Sequence, residues 1–358
     1  MRMVECKYLQ TGMRVARTIY DDAGRILLNK GVMLNPYFIK RLKELGLTFI
    51  YVEDEILGSL EVEEIVNERV KIQTASALRN VVHSVQVHEK LDLRPISALI
   101  NQILDELKSA PNLLMQLLDL RYADTFLYDH SIGVSVLSIL TGRNLGLDEL
   151  KLKTLAMGAV LHDLGKSLNP GPEHTEYGFE ILRREKVLSI LVAHVAYQHH
   201  ERYDGTGYPR QLKEKEIHLY AAIVNVANCF DNLVNRGKDR LYPYQALREI
   251  KAASEKAFHP DIVEAFCRNI APYPVGTAIR LNNGMIGVVI DIPLERTTQP
   301  VVKLIADKKG NILKQFPEID LLAEKKLAVE EVISEAERQK ITRNYCSMVV
   351  SSLGDLNE

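Results

Sequence analysis

The residues best suited to chemistry lie between His162 and Asn228. The stretch opens on Leu161-His162-Asp163-Leu164-Gly165-Lys166, passes His199-His200-Glu201, and enters the loop Asp204-Gly205-Thr206-Gly207-Tyr208-Pro209. Neutral imidazole and carboxylate oxygen are the ligands that suit Fe, Mn, Zn or Ni. A lone histidine is more often structural, but two paired clusters in a chain with ten histidines point to a metal site. His162 and Asp163 stand near the end of an apolar helix. Adjacent helical residues diverge by about 100°, so both can ligate only an ion close to the helix end, or two neighbouring ions. His199-His200 poses the same geometry and favours two ions. His130, at the start of another apolar helix, and His174, in Glu173-His174-Thr175-Glu176-Tyr177-Gly178, each read equally as a ligand or as a polar residue at a helix start. His194, His218 and His259 read as non-ligands, the last in a loop. His83 and His88 read as lying on a solvated helical face.

The elements that must position these side chains are helices. Between Leu113 and about Ile270, apolar runs at 131–140, 150–161, 179–182, 188–197, 219–233 and 243–257 follow one another. Helices that are apolar on most sides lie inside an all-α bundle, where ligands project inward from facing helices. Residues 57–112 read as a helical connector. Its second helix is opened by Pro95, carries Ile96, Leu99, Ile100, Ile103, Leu104 and Leu107 at helical spacing, and is interrupted by Pro111. Residues 1–56 read as a small α/β unit: a strand Val15–Tyr20, a turn Asp21–Gly24, a partner strand Arg25–Leu28, a helix opened by Asn35-Pro36 and ended by Gly46, and a strand Thr48–Val52. Past Pro272 the pattern turns β-rich. Thr277–Leu281 and Met285–Ile292 flank the hairpin signal Asn282-Asn283-Gly284, and Val301–Ala306 follows. This gives a β appendage over 271–320 and an amphipathic helical tail over 321–358.

Composition bounds the partners. The net charge of −2 gives no global pull toward nucleic acid or a membrane surface, so an anionic ligand must be held by local cations. With 46% hydrophobic and 26% charged residues the chain is ordinary for a globular protein. Its four cysteines, Cys6, Cys229, Cys267 and Cys346, lack CxxC spacing. That argues against a disulfide framework or a thiolate zinc site and fits a reducing cytoplasm. The start has no apolar signal-type region, and no apolar run approaches the ~18 residues of a membrane span.

From about Asp124 to Phe266 the sequence resembles the HD-GYP domain, a branch of the HD metal-dependent phosphohydrolases. The pieces occur in order: Asp124-Thr-Phe-Leu-Tyr-Asp-His130-Ser, then Leu161-His-Asp-Leu-Gly-Lys166, then His174 with Gly178, then His199-His-Glu-Arg-Tyr-Asp-Gly-Thr-Gly-Tyr-Pro209. The resemblance implies an all-helical HD-type catalytic domain over 113–270 in a mainly α protein. It implies hydrolysis of the cyclic dinucleotide cyclic di-GMP to pGpG or GMP. It also implies ligation by His130, His162, Asp163, His174, His199 and His200. The family's last ligand is an aspartate; here Asn228 stands in its place, which removes one anionic ligand. Phe126 occupies the position of an optional third-metal glutamate, so the expectation is two divalent transition ions, Fe or Mn. Two ions ~3.5–4 Å apart can orient a hydroxide for in-line attack at phosphorus. Asp163 belongs to the catalytic set, and Lys166 is expected to reach a non-bridging phosphoryl oxygen. Asp124 and Asp231 match supporting or proton-transfer carboxylates. Gly207, Tyr208 and Pro209 border the family's substrate pocket, and Arg240 and Tyr242 fall where it has an Arg-x-Tyr substrate contact. Two other readings stay open: a degenerate domain that binds cyclic di-GMP without cutting it, favoured by Asn228, and a phosphohydrolase of another nucleotide. A homodimer or a signalling-protein partner is equally open.

Overall fold

The computed structural model describes residues 1–21, 25–47, 49–54, 56–57, 66–109, 126–235, 241–268, 270–293 and 296–354. The chain divides into two compact units. One combines Met1–Asp21, Arg25–Glu63 and Ala271–Glu358; the other is Glu64–Ile270.

In chain order the first unit begins with β1 (Arg2–Glu5), β2 (Ile19–Tyr20), β3 (Ile26–Leu28), α1 (Pro36–Glu44) and β4 (Phe49–Val52). Asn35 caps α1 by accepting from the Phe38 amide, and Pro36 occupies the first turn, where no amide donor is needed. β1 pairs antiparallel with β4, and β2 with β3. The strand expected over Val15–Tyr20 is shorter: only Ile19–Tyr20 is strand, and Val15 makes an isolated bridge to Val52. The turn expected at 21–24 falls largely outside the described residues.

The second unit is helical: α2 (Glu68–Gln86), α3 (Arg94–Ser109), α4 (Phe126–Asn144), α5 (Glu149–Leu161), α6 (His174–Leu182), α7 (Ile190–Gln198), α8 (Leu219–Asn235), α9 (Pro243–Ala252) and α10 (Pro260–Cys267). α2 and α3 are not a free-standing connector. Val70, Leu78, Ile96, Ile100, Ile103 and Leu107 share one hydrophobic core with Val136, Ile139 and Leu140 of α4, Ala156 and Val160 of α5, and Val192 and Ala196 of α7. Amphipathic helices with a continuous apolar stripe bury it, which is why a stretch read as a linker joins the bundle. His83 and His88 are exposed, as expected of a solvated face. The helix expected over 243–257 is shorter. α9 ends at Ala252, and α10 follows with Pro260 in its first turn and His259 as its cap, the ring Nδ1 accepting from the Asp261 amide at 3.2 Å.

The chain then returns to the first unit through β5 (Ala278–Leu281), β6 (Ile286–Asp291), β7 (Val301–Ala306), β8 (Glu318–Asp320), β9 (Val329–Val332) and α11 (Glu335–Gly354). The sheet order is β8-β7-β6-β5-β9, antiparallel at each pairing. The hairpin turn carries Gly284 at φ +84°, a left-handed conformation that suits glycine. The tail helix starts at Glu335 rather than Leu321, because Val329–Val332 pairs with β5 at the sheet edge. The terminal segments are tied together by ion pairs of Arg2 with Glu335 (2.7 Å) and of Asp54 with Arg338.

Candidate metal centre

Four helix ends or starts and the body of α8 deliver the polar side chains. His130 lies in the first turns of α4. His162 is the C-terminal cap of α5, and Asp163 follows it into a tight turn, Leu164–Ser167. His174 opens α6, and His199 caps the end of α7 with His200 next to it. Asn228 and Asp231 lie on α8. His130, His162, Asp163, His174 and His199 are buried, and His200 is partly buried.

The donor atoms fall into two groups that share Asp163. Asp163, His174, His199 and His200 form one; His130, His162 and Asp163 form the other; within each, one donor atom per residue lies within 4.8 Å of all the rest. The two carboxylate oxygens divide between them. Asp163 Oδ1 stands 3.5 Å from His174 Nε2 and 3.4 Å from His199 Nε2. Asp163 Oδ2 stands 3.4 Å from His162 Nε2 and 3.8 Å from His130 Nε2.

The far side of most rings is already engaged. His162 Nδ1 lies 2.7 Å from the Ala159 carbonyl, His174 Nδ1 2.7 Å from that of Gly171, and His199 Nδ1 2.9 Å from that of Ala196. His130 Nδ1 lies 2.6 Å from Asp231 Oδ2. Carbonyl and carboxylate oxygens only accept, so each Nδ1 donates and each Nε2 turns its lone pair inward. That is the tautomer a metal ligand requires. His162 Nε2 and Asp163 Oδ1 are buried without a hydrogen-bond partner. Buried polar atoms are rarely left so, and a cation in each group would supply the missing interaction. The donor set of imidazoles and one carboxylate therefore fits divalent transition ions.

Electrostatics agrees with the geometry. Burial pushes the imidazoles of His130, His174 and His200 below their ordinary value and that of His199 down to about 4, so the rings are neutral at neutral pH. Burial alone would raise the Asp163 carboxyl. The positive charge of Lys166 opposes this, and the group is held well below the usual carboxylate range. Lys166 Nζ lies 2.5 Å from Asp163 Oδ2.

Two glycines set the close approaches. A Cβ on Gly165 would meet the His174 carbonyl oxygen at 2.0 Å and the Gly178 nitrogen at 2.6 Å, so the turn after Asp163 lies directly on the start of α6. A Cβ on Gly207 would meet the Arg202 nitrogen at 2.3 Å and the His200 carbonyl oxygen at 2.6 Å. The Gly-Tyr-Pro loop thus folds back on the strand of chain that carries His200. Tyr208 then stacks on the His200 ring with centroids 4.7 Å apart and planes 16° apart. Burial and the Asp163 charge push its hydroxyl up to about 12. The Tyr208–Pro209 peptide bond is cis.

Asn228 is buried, and its amide oxygen accepts from Asn232 Nδ2 at 2.7 Å. Tyr242 caps the start of α9 and is 37% exposed, its ring stacked on Tyr244. Asp124 and Arg240 lie outside the described residues. Sequence reasoning gave Glu201 no role. Its fully buried carboxylate accepts from the Arg210 amide at 2.7 Å and the Leu212 amide at 3.0 Å, just past the Gly-Tyr-Pro loop. Its place beside His199-His200 was the available signal. His218 and His259 serve instead as helix-start residues, His218 Nδ1 accepting from the Tyr220 amide.

Residues 127–233 match the family model of the HD domain. That stretch is similar to the HD domain. It holds the HD pair, His162-Asp163, at the end of α5 and the HD-GYP signature, His199 to Pro209, in the loop after α7. Residues 278–341, covering the five-stranded sheet and the start of α11, match the model of a KOW domain associated with the HD domain. Among curated proteins the chain is similar to the cyclic di-GMP phosphodiesterase PA4108 of Pseudomonas aeruginosa, 28% identical over 66% of this chain and 62% of that one. A cyclic di-GMP phosphodiesterase of Thermotoga maritima is 38% identical over 41% of this chain and 45% of its own length. A 3'3'-cGAMP-specific phosphodiesterase of Vibrio cholerae is 32% identical over 33% of this chain and 27% of its own. The chain thus spans less than two thirds of the length of each of these relatives. No described helix is long and apolar enough to cross a membrane.

Proposed function

We propose that the HD domain is a metal-dependent phosphodiesterase that opens cyclic di-GMP to pGpG or GMP. The observation that carries this reading is the single carboxylate, Asp163, standing between two groups of imidazoles with one oxygen turned to each. In this reading His174, His199, His200 and Asp163 hold one divalent ion, and His130, His162 and Asp163 hold the other. Fe or Mn suits this donor set. Bound there, the ions supply Lewis acidity to the attacking water and to the phosphodiester.

The chain's own residues do the rest. Asp163 lends its charge to both groups. Asp231 fixes the His130 tautomer, and the carbonyls of Ala159, Gly171 and Ala196 fix those of His162, His174 and His199. Lys166 pairs with Asp163 Oδ2 and lies at the edge of the centre, 27% exposed, where its ammonium neutralises a non-bridging phosphoryl oxygen as a point charge. Gly207, Tyr208 and Pro209 wall the centre on the His200 side. Arg240 and Tyr242 complete the substrate contacts, Asp124 serves as a supporting carboxylate, and Asn228 takes the neutral ligand position.

One observation favours a second reading, a domain that binds cyclic dinucleotide without cutting it. The Asn228 amide oxygen already accepts from Asn232, so it brings no charge and only its second lone pair to an ion. Relatives are named for cyclic di-GMP and for 3'3'-cGAMP, so the test varies the two bases of the substrate. The test is a panel of cyclic di-GMP, 3'3'-cGAMP, cyclic di-AMP and pGpG offered to the Mn(II)-loaded protein, with products separated by chromatography. Faster loss of cyclic di-GMP than of the other cyclic dinucleotides supports the proposal. Tight binding of intact cyclic di-GMP supports the second reading.

A further inference from the structure

Of the five imidazoles at the centre, four have Nδ1 held by an oxygen: Asp231, Ala159, Gly171 and Ala196 provide it for His130, His162, His174 and His199. His200 is the exception. Among the described residues no hydrogen bond reaches either of its ring nitrogens, and the ring is partly exposed. A ligating imidazole with no partner on its far nitrogen has neither its tautomer nor its orientation fixed by hydrogen bonding. What touches the His200 ring instead is aromatic. Tyr208 lies nearly parallel to one face at 4.7 Å, while His199 at 4.1 Å and His174 at 5.1 Å close other sides.

Tyr208 is itself held from two directions. Its amide donates to the His200 carbonyl at 3.2 Å, and Gly207 before it allows the loop to lie on the His200–Arg202 backbone. Behind it, the buried Glu201 carboxylate accepts from Arg210 and Leu212, one oxygen for each amide. Asn225 Nδ2 donates to the Glu201 carbonyl at 2.6 Å and ties this segment to α8. A carboxylate has two acceptor oxygens and can close both bonds at once; a glutamine side chain has one.

We infer that Tyr208 and Glu201 are positioning residues for the ion at His200. Stacking against Tyr208 orients the His200 ring in place of a hydrogen bond, and Glu201 latches the loop so that Tyr208 stays on that face. The inference rests on the proposed ligation by His200. It assigns Tyr208 a task apart from any substrate contact and gives the buried carboxylate of Glu201 a purpose.

The experiment titrates the full chain with Co(II), whose visible absorption reports each ligand set, in competition with a chelator. Thermal melts check that each variant is folded. Tyr208→Phe keeps the ring face and binds both ions within about two-fold of the unchanged chain. Tyr208→Leu and Glu201→Gln each weaken the ion at Asp163, His174, His199 and His200 by about 10–100-fold, the usual effect of losing an outer support of a ligand. They alter its Co(II) spectrum and leave the ion at His130 and His162 within about two-fold. Co(II) binding by Tyr208→Leu and Glu201→Gln equal to that of the unchanged chain overturns the inference and leaves the metal centre standing. Equal weakening in Tyr208→Phe and Tyr208→Leu also overturns it, since the hydroxyl rather than the ring face would then matter. No Co(II) uptake by the unchanged chain overturns the metal centre itself.

Discussion

Substituting Asp231 tests how far one carboxylate sets the affinity of the ion at His130. Asp231 Oδ2 lies 2.6 Å from His130 Nδ1, with the two side chains 1% and 3% exposed. His130 therefore donates from Nδ1 and keeps its Nε2 lone pair toward Asp163 Oδ2, 3.8 Å away. The other Asp231 oxygen accepts from Asn235 Nδ2 at 3.1 Å. In Asp231→Asn a single amide oxygen must serve one of these donors. Asn235 Oδ1 is buried without a partner, so the Asn235 amide can turn and accept from the new NH2. The geometry at His130 then survives and only the charge is lost. A hydrogen bond to a charged group contributes about 1.5–3 kcal/mol against about 0.5–1.5 kcal/mol for a neutral one. A difference of about 1.4 kcal/mol is a tenfold loss of affinity. Asp231→Ala leaves a buried Nδ1–H with no acceptor, which costs about 1–3 kcal/mol, and releases the ring to turn. Its loss is expected to approach hundred-fold. The assay is Mn(II) or Co(II) titration against a chelator, with the two sites resolved. The expected order of affinity is the unchanged chain, then Asp231→Asn, then Asp231→Ala. An alanine variant that binds both ions as tightly as the unchanged chain would falsify the claim that Asp231 supports a ligand.

Further expectations follow from the same geometry. His162→Ala and Asp163→Ala are each expected to abolish hydrolysis and to lower bound metal, measured in one sample by product analysis and elemental counting; unchanged turnover in either contradicts the site. Asn228→Asp restores an anionic oxygen on α8 and is expected to raise Mn(II) affinity about tenfold or to raise kcat; flat values for both place Asn228 outside the ligand set or make it a competent ligand. Gly165→Ala drives a methyl into the His174 carbonyl oxygen and the Gly178 nitrogen, and an overpacked contact of this kind costs about 1–3 kcal/mol, read from urea unfolding. The metal-stripped protein is expected to lose stability on acidification. The folded His199 ring titrates at about 4 against an unfolded value of 6.5, so between those values the unfolded chain binds more protons and stability falls as pH falls. That difference is worth about 3 kcal/mol. His130, His174 and His200 shift the same way, and a flat stability profile from pH 7 to 4 would contradict neutral buried rings.

The residue types of the candidate centre were legible in the sequence because imidazole pairs beside carboxylates are rare enough to be informative, and the bundle because its apolar runs are too continuous for surface helices. Their pairing was not legible. His130 and Asp231 are 101 positions apart, and only the packing of α4 on α8 brings them to hydrogen-bonding distance. The engagement of Asn228 by Asn232 lies one helical turn away and was within reach of an i,i+4 reading. The helices α2 and α3 carry the stripe of a core helix, but a stripe does not say which core it joins. β9 was hidden for another reason: Val329-Glu330-Glu331-Val332 is a short, charged edge strand, and its pairing with β5 is set by a sheet formed from residues fifty positions earlier. Nothing in the sequence pattern told that the first and last segments make one unit.

The most direct test of the account counts metal and measures turnover in one sample. The protein is loaded anaerobically with Fe(II) or Mn(II), the bound ions are counted, and cyclic di-GMP is followed to its products with and without a chelator. Two ions per chain are expected, with formation of pGpG or GMP that stops when the ions are removed. Intact cyclic di-GMP in a sample holding two ions, or product formation that survives chelation, would contradict it.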